Sequence, residues 1–320
     1  MTTFAFVFPG QGSQSVGMLD AWNDHPVVEA ILEEASEALG QDLGKLIHEG
    51  PKEELALTTN TQPVMLVAAI ASYRVWQAEG GATPHFVAGH SLGEYSALVA
   101  SGALSLADAV PLVRFRAQAM QEAVAVGSGA MAAVLGLDAA KVVEICNHVQ
   151  SSFAAGSGEV VQAANFNDPS QTVISGSQAA VTLACEQLKA AGAKRTLPLP
   201  VSAPFHCALM QPAAERLRGQ LSSIQLHSPG IPLVNNIDVA TETDADRIKD
   251  ALYRQAFGPV RWVETMQRMQ QLGVGHVVVE CGPGKVLTGM VKRIAPDLNA
   301  NALYDPATLA EVLALFPASK

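Results

Sequence analysis

Residues 87–98 read VAGHSLGEYSAL, in which Ser91 lies two positions after one glycine and two before another. The apolar residues before the serine indicate a short buried strand, and those after it have helical spacing. A strand that turns sharply into a helix brings backbone segments together, and Gly89 and Gly93 leave out the side chains that would collide there. The pattern predicts a nucleophile elbow that exposes the Ser91 hydroxyl. The alternative is a serine in an ordinary glycine-rich turn.

The same strand-then-helix order recurs along the chain. We predict strands at 3–8, 86–91, 232–234 and 276–280, and helices at 26–39, 62–76, 106–123, 210–223, 285–294 and 307–315, with two more helices between 245 and 271. Strands that alternate with helices favour a mainly parallel sheet covered on both faces. The predicted fold class is therefore α/β, with a hydrolase-like core.

A stretch of 72 residues in the middle has a different order of elements. We predict strands at 130–136, 160–164, 172–175 and 194–199, with helices at 138–149 and 177–191. This β-α-β-β-α-β order is typical of a ferredoxin-like unit. Glycines precede it and prolines follow it, so we predict a small domain at 128–199 inserted into a large α/β domain formed by 1–127 and 200–320.

Composition narrows the class of protein. The chain has 320 residues, of which 49% are hydrophobic and 16% charged, with a net charge of −10. This acidic balance, without a basic run, argues against nucleic acid as the main partner. We also find no apolar run of the ~20 residues that a bilayer crossing needs and no signal-peptide pattern. Four separated cysteines without a C-x-x-C pair, and no metal-ligand spacing elsewhere, indicate reduced thiols in a cytoplasmic protein.

A serine nucleophile needs a general base within hydrogen-bond reach. His206, in PVSAPFHCALM, follows two prolines and the apolar Phe205, and an amphipathic helix begins just beyond it. A histidine held in a rigid loop at a domain junction suits a base. His90 adjoins the serine, but neighbours across an elbow point apart, so we expect it to support the turn. The group that orients the histidine stays open between Asp238, Glu280 and a backbone carbonyl.

Two further features suit acyl chemistry on a charged substrate. The loop PGQGSQ follows the first strand, but its next glycine comes too late for a dinucleotide fingerprint, so Gln11 and the Leu92 amide are candidates for an oxyanion hole. Arg116 lies on the apolar helix VPLVRFRAQAM. A buried arginine needs an anionic partner, which a carboxylate substrate would supply. A solvent-facing arginine is the alternative, and Arg114 fits that description.

Seven stretches, in order and at matching spacing from residue 8 to about 295, together resemble the malonyl-CoA:acyl carrier protein transacylase family. They are PGQGSQ, TQPVML, GHSLGE, LVRFR, GAMAAVLGL, the His206 loop and VVVECGPGKVLTGM. The resemblance implies that Ser91 carries the acyl group, His206 is its base and Arg116 binds the malonyl carboxylate. It further implies oxyanion-hole roles for Gln11 and Leu92, pocket positions for Gln62 and His90, a histidine-orienting carbonyl at Gln255, and a malonyl-selective ring at Phe205.

The resemblance implies ping-pong transfer of malonyl from malonyl-CoA to acyl carrier protein in fatty acid biosynthesis, with no cofactor and no metal. We expect a monomer that binds neither nucleic acid nor a membrane. Three alternatives stay open: a free-standing acyltransferase of a polyketide synthase, a serine esterase or thioesterase, and a non-catalytic module that docks carrier proteins.

Overall fold

The computed structural model describes residues 3–23 and 25–316, which form two sheets and the helices around them. The strands are β1 (Phe4–Phe8), β2 (Phe86–Gly89), β3 (Gly129–Leu135), β4 (Val161–Asp168), β5 (Gln171–Ser177), β6 (Arg195–Pro198), β7 (Val277–Cys281) and β8 (Asn299–Leu303). The helices are α1 (Pro26–Leu39), α2 (Leu43–Glu49), α3 (Lys52–Leu55), α4 (Thr58–Ala78), α5 (Gly93–Ala100), α6 (Leu106–Glu122), α7 (Ala139–Ser152), α8 (Gln178–Ala190), α9 (Gln211–Ser223), α10 (Ala245–Phe257), α11 (Trp262–Gln271), α12 (Val286–Ile294) and α13 (Pro306–Ala314).

One four-stranded sheet is parallel throughout, in the order β2-β1-β7-β8. Its central strand β1 reads FAFVF, and every residue in it is buried. The phenylalanines, such as Phe6, pack with α4 on one face, while Ala5 and Val7 join the core cluster of α11 and α12 on the other. Helices therefore cover both faces, which is why β1 is apolar without alternation. The predicted α/β core is confirmed.

The other sheet, which lies in the inserted segment, also has four strands and is antiparallel, in the order β4-β5-β3-β6. Its strand β3 divides its side chains between two cores. Ala132 and Val134 pack with α7 and α8, whereas Met131 and Ala133 belong to the larger core. The predicted ferredoxin-like order is confirmed, and the sheet is covered on both faces. The domain boundaries at 127/128 and 199/200 stay a prediction.

The two parts are also joined through backbone hydrogen bonds. In β4, the Phe166 amide donates to the Val260 carbonyl at 2.9 Å, and the Val260 amide donates to the Ala164 carbonyl at 2.8 Å. Val260 lies in the turn between α10 and α11. The inserted sheet therefore fixes the segment that follows α10, close to the end of that helix.

Some sequence-based elements differ from the structure. The predicted strand at 232–234 is wrong, since Leu233 makes only a single bridge to Val87 at the edge of β2. Strand β8 was not predicted, because four of the five residues in its sequence NANAL are asparagine or alanine and none is β-branched. Helices α2 and α3 are too short to show a helical period, with seven and four residues. Within the described residues, no helix is both long and apolar enough to cross a membrane.

The elbow depends on two close backbone approaches. A Cβ atom on Gly89 would lie 1.8 Å from the carbonyl carbon of Gly93, and one on Gly93 would lie 2.0 Å from the carbonyl oxygen of Phe8. Between these glycines Ser91 has a φ of 53°, in the left-handed region that a serine seldom adopts. The glycine spacing of the sequence is therefore a steric requirement of the turn from β2 to α5.

Gly93→Ala should lower the free energy of unfolding by about 3 kcal/mol or more, because its methyl group would have to displace β1 backbone rather than a flexible side chain. The matched control is Gly219→Ala, since Gly219 is exposed in α9 and a Cβ there meets nothing within 4 Å. That change should stabilise the protein by about 1 kcal/mol through helix propensity. Urea unfolding of both variants tests the prediction, and equal stabilities would contradict it.

Candidate active site

The side chains of Ser91 and His206 contact each other just beyond the end of β2 in the parallel sheet. The Ser91 Oγ lies 2.7 Å from His206 Nε2. On the other side of the ring, Nδ1 lies 2.9 Å from the Gln255 carbonyl oxygen and 3.2 Å from that of Gly258. Since carbonyl oxygens only accept hydrogen bonds, Nδ1 carries the proton and Nε2 presents its lone pair to the serine hydroxyl. The pair has the geometry of a nucleophile and its general base.

Neither Asp238 nor Glu280, the two acids considered as the group that orients the histidine, contacts His206. Asp238 forms a two-pronged pair with Arg254, at 2.6 and 2.7 Å. Glu280 is buried and accepts from the Thr288 amide and hydroxyl at the start of α12. The carbonyl alternative is the one that the structure has. The inserted sheet contributes to it, because Val260, which is bonded to β4, follows Gly258 by two residues.

The histidine is held neutral by its surroundings. Burial, and after it the positive charge of Arg116, lower the pKa of His206 from its ordinary value to about 3. Only 4% of His206 is exposed. A neutral imidazole is the form that can accept the serine proton, so the site has its working protonation state far below neutral pH.

Arg116 is buried beside the nucleophile with neutral partners. Its Nη1 donates to Gln62 Oε1 at 2.8 Å, and its Nη2 donates to Gln255 Oε1 at 3.1 Å and to Ser91 Oγ at 3.2 Å. Its Nε has no hydrogen-bond partner among the described residues. A desolvated guanidinium with an unused donor, next to a nucleophile, favours an anionic ligand. Arg114 is half-buried and donates instead to Gln41 and Asn60.

Two residues that sequence reasoning missed hold the elbow from behind. Asn236 accepts from the Ser91 amide at 2.8 Å and donates to the Gly89 carbonyl at 2.7 Å. Glu94 Oε2 accepts from the Asn236 amide at 2.9 Å and from Gln255 Nε2 at 3.0 Å. Both are buried. The available signal was a carboxylate in the apolar start of a helix, and an asparagine pair directly after an apolar run.

The other expected site residues lie around this centre. Gln11 Oε1 accepts from the Thr58 hydroxyl at 2.7 Å, and Gln62 Nε2 approaches the same hydroxyl at 3.4 Å. Leu92 precedes α5, so its amide is at a helix start, where amides lack intrahelical partners. His90 is directed away from the serine, since its Nε2 lies 2.8 Å from Asn167 Oδ1. Phe205 packs in the larger core.

A cleft leads to His206 between the inserted sheet and the end of α10. The cavity next to the histidine has a volume of about 260 Å³ and is lined by Val143, Cys146, Asn147, Gln162, Ala163, Phe166, Phe257 and Pro259. A neighbouring cavity of about 530 Å³ shares Val143 and Phe166 with it. Both cavities lie between α7 and β4 on one side and the segment of α10 and α11 on the other. Within the described residues, no group of three or more histidine, cysteine, aspartate or glutamate side chains could hold a metal ion.

Comparison with known proteins identifies the kind of site. The family model described as "Acyl transferase domain" matches residues 5–305. The chain belongs to the acyl transferase family. A malonyl CoA-acyl carrier protein transacylase of Escherichia coli (strain K12) is 54% identical over 316 residues, which are 98% of this chain and 100% of that protein.

Two solved structures have the same acyl transferase fold. An acyl-carrier-protein S-malonyltransferase of Burkholderia pseudomallei 1710b superposes with a TM-score of 0.94, at 59% identity over 98% of this chain and 100% of that one. A malonyl transacylase in complex with a type II polyketide synthase acyl carrier protein also gives 0.94, at 48% identity over the same shares.

In this acyl transferase the rate at which Ser91 is acetylated by an uncharged thioester should stay level from pH 7.5 to pH 5. A histidine can accept a proton only above its pKa, and a pKa of about 3 keeps His206 neutral over that range. A histidine with the ordinary pKa of about 6.5 would lose about thirtyfold at pH 5. Mass spectrometry of the labelled protein gives the rate, with Ser91→Ala as the unlabelled control. A decline centred between pH 6 and 7 would show that His206 titrates normally.

Proposed function

We propose that this chain transfers the malonyl group of malonyl-CoA to the phosphopantetheine thiol of acyl carrier protein, through a malonyl ester on Ser91. The observation that carries the proposal is Arg116, a buried cation with neutral partners 3.2 Å from the nucleophilic oxygen. A carboxylate carried by the acyl group itself would supply a negative charge in direct contact with this guanidinium, next to the reacting carbonyl. The names of the relatives give the same donor and the same acceptor.

In the first half-reaction, Ser91 Oγ attacks the thioester carbon while His206 Nε2 takes the hydroxyl proton. The Leu92 amide and Gln11 stabilise the negative charge that develops on the thioester oxygen. The carbon–sulfur bond then breaks, and His206 returns the proton to the sulfur of coenzyme A. Ser91 is left as a malonyl ester, and the free carboxylate of the malonyl group accepts hydrogen bonds from the Arg116 guanidinium.

In the second half-reaction, the carrier protein's thiol enters the cleft between the inserted sheet and the end of α10. His206 takes the thiol proton as the sulfur attacks the ester, and then gives it to the Ser91 oxygen as that bond breaks. Because every step moves an acyl group or a proton between named side chains, we propose that no cofactor and no metal take part. The Gln255 carbonyl keeps the His206 tautomer throughout, and Gln62 steadies Arg116.

The remaining assignments concern the pocket wall and the cell. We propose that His90 and Phe205 support the pocket without touching the reacting atoms. His90 anchors the turn through Asn167, and Phe205 limits the space around the loop that carries His206.

We propose a monomer in the cytoplasm, a location that suits the four free cysteines. The carrier belongs to fatty acid biosynthesis in this proposal. A polyketide carrier is the second candidate, because a similar malonyl transacylase was solved with one.

Malonyl-CoA alone should add one malonyl group to the protein, on Ser91, and holo acyl carrier protein should remove it. Ser91→Ala should acquire no label, and His206→Ala should acquire it about 10²–10⁴ times more slowly because the general base is lost. Intact-protein mass spectrometry measures both steps. His227→Ala is the matched control, since His227 is exposed, and it should behave as wild type.

The same experiment separates the alternatives. A serine hydrolase would lose the label to water at the same rate with or without carrier, and a docking module would acquire no label. Parallel transfers to a fatty acid carrier and to a polyketide carrier compare the two pathways. Malonyl on Ser91→Ala would refute the assigned nucleophile.

Arg116→Ala should lower kcat/KM for malonyl-CoA sharply and leave acetyl-CoA level or better. In wild type, acetyl leaves the donors of a buried guanidinium without a directly bonded anion, at a cost of roughly 1–3 kcal/mol, so the malonyl preference should fall by about five- to 150-fold in the variant. Arg116→Lys should recover little, since an ammonium cannot reproduce the two-pronged contact. The measurement is the ratio of the two kcat/KM values.

Arg114→Ala is the matched control for that ratio. It removes an arginine from the same helix, two residues earlier, whose bonds go to Gln41 and Asn60 rather than to the site. The control should change stability without changing the malonyl preference. An unchanged preference in Arg116→Ala would mean that the carboxylate is bound elsewhere.

A further inference from the structure

Glu94 is a buried carboxylate that the two half-reactions leave without a role. It lies in the first turn of α5, three residues after the nucleophile, with 2% of its surface exposed. Its Oε2 accepts from the Asn236 amide and from Gln255 Nε2. Its Oε1 makes no hydrogen bond to any described residue. Helix capping does not explain this position, because the bonds go to other segments of the chain.

Gln255 connects this carboxylate to Arg116. Since a carboxylate accepts only, Gln255 has to direct its NH₂ group toward Glu94, and its Oε1 therefore accepts from Arg116 Nη2 at 3.1 Å. The negative and positive charges are thus one amide apart, and Glu94, Gln255 and Arg116 are all buried. This arrangement lets the carboxylate balance the guanidinium without occupying the fork that would hold a substrate.

Among the charged and titratable groups that face Glu94 within the described residues, Arg116 is the cation that no other carboxylate pairs with. Tyr95 follows it on α5, and its ring lies under the Arg116 guanidinium, 5.4 Å from Cζ. Asp238 faces it from the segment before α10 but is paired with Arg254. Glu242 lines a small cavity with it and pairs with Arg247. On the far side of Arg116 is His206, which is neutral.

We propose that Glu94 is the resident counter-ion of Arg116, and that it takes up a proton when the carboxylate of the acyl group replaces it in that role. The proposal rests on malonyl transfer as the function. In the free enzyme Glu94 is ionised and the buried pair is close to neutral. When malonyl binds, two anions would share one guanidinium at low dielectric, and protonation of Glu94 relieves the repulsion.

The local chemistry permits this exchange near neutral pH. Burial raises the pKa of Glu94 to about 7, against the opposing effect of its hydrogen bonds and of Arg116. A second anion on Arg116 raises that pKa further. The proton comes from solvent and binds to the Glu94 carboxylate, where Oε1 can take it while Oε2 keeps its two hydrogen bonds. The acyl transfer itself has no net proton change, because the serine proton leaves on the coenzyme A thiol.

The first test uses wild-type enzyme in weak buffer with a pH indicator, at pH 7.5. Formation of malonyl-Ser91 should take up a substantial fraction of a proton per site, and formation of acetyl-Ser91 should take up none. Mass spectrometry of the same samples reports whether the ester forms. Equal proton uptake with the two acyl groups, while both esters form, overturns the proposal. If no malonyl ester forms at all, the proposed function itself fails.

The second test compares pH profiles of Glu94→Gln and wild type. The glutamine amide oxygen can keep both hydrogen bonds while the charge is lost. In wild type, kcat/KM for malonyl-CoA should fall by about tenfold per pH unit above pH 7, as one linked proton requires, while acetyl-CoA stays level. The variant should be flat, and about tenfold better than wild type with malonyl-CoA at pH 8.

Glu280→Gln is the matched control, because it neutralises another buried glutamate that accepts from a backbone amide and a hydroxyl, in a different part of the fold. It should keep the wild-type pH profile with both substrates. If Glu94→Gln loses malonyl and acetyl transfer equally and keeps the wild-type profile, Glu94 only supports the elbow and the proposal is wrong. The proton-uptake measurement decides the matter if the variant does not fold.

Discussion

The site depends on the contact between the backbones of β1, β2 and α5, where two glycines leave no room for a Cβ atom. Gly93 lies against the Phe8 carbonyl, and Gly89 lies against Gly93. This contact forces Ser91 into a left-handed conformation with its hydroxyl beyond the end of the sheet. Such strain persists only when the surroundings over-determine it. Asn236 provides that support, because its side chain bonds to the Gly89 carbonyl and to the Ser91 backbone amide, on either side of His90.

The polar groups behind the elbow form one network rather than separate supports. Asn236 holds the Ser91 amide, Glu94 holds the Asn236 amide, and Gln255 is bonded to Glu94, to Arg116 and to the Ser91 carbonyl. Gln255 therefore has two functions, since its backbone carbonyl orients His206 and its side chain positions Arg116. Buried hydrogen-bond networks of this kind rigidify a site, and losing one member affects every group bonded to it.

The sequence predicted what depends on local pattern. The glycine spacing, the alternation of strands and helices, and the ferredoxin-like order all have a period or a steric reason within a short window. The roles of Asn236 and Glu94 depend on contacts across about 140 residues, for which no local pattern exists. The orienting group of His206 stayed open for the same reason, because any residue can offer a carbonyl. Strand β8 was missed because its pairing with β7, rather than its own residues, makes it a strand.

The choice of a carbonyl to orient the histidine follows from the presence of Arg116. An aspartate at Nδ1 would lie in the same buried region as the guanidinium, and the two charges would attract at low dielectric. In the proposed function, that acid would compete with the malonyl carboxylate for Arg116 and weaken the proposed preference for malonyl over acetyl. A carbonyl fixes the tautomer without a charge, and a thioester has a good leaving group, so a less polarised base is sufficient. The carboxylate of Glu94, which belongs to the same buried network, is held a full amide away from Arg116. A site for an anionic acyl group has to keep its own anions at that distance.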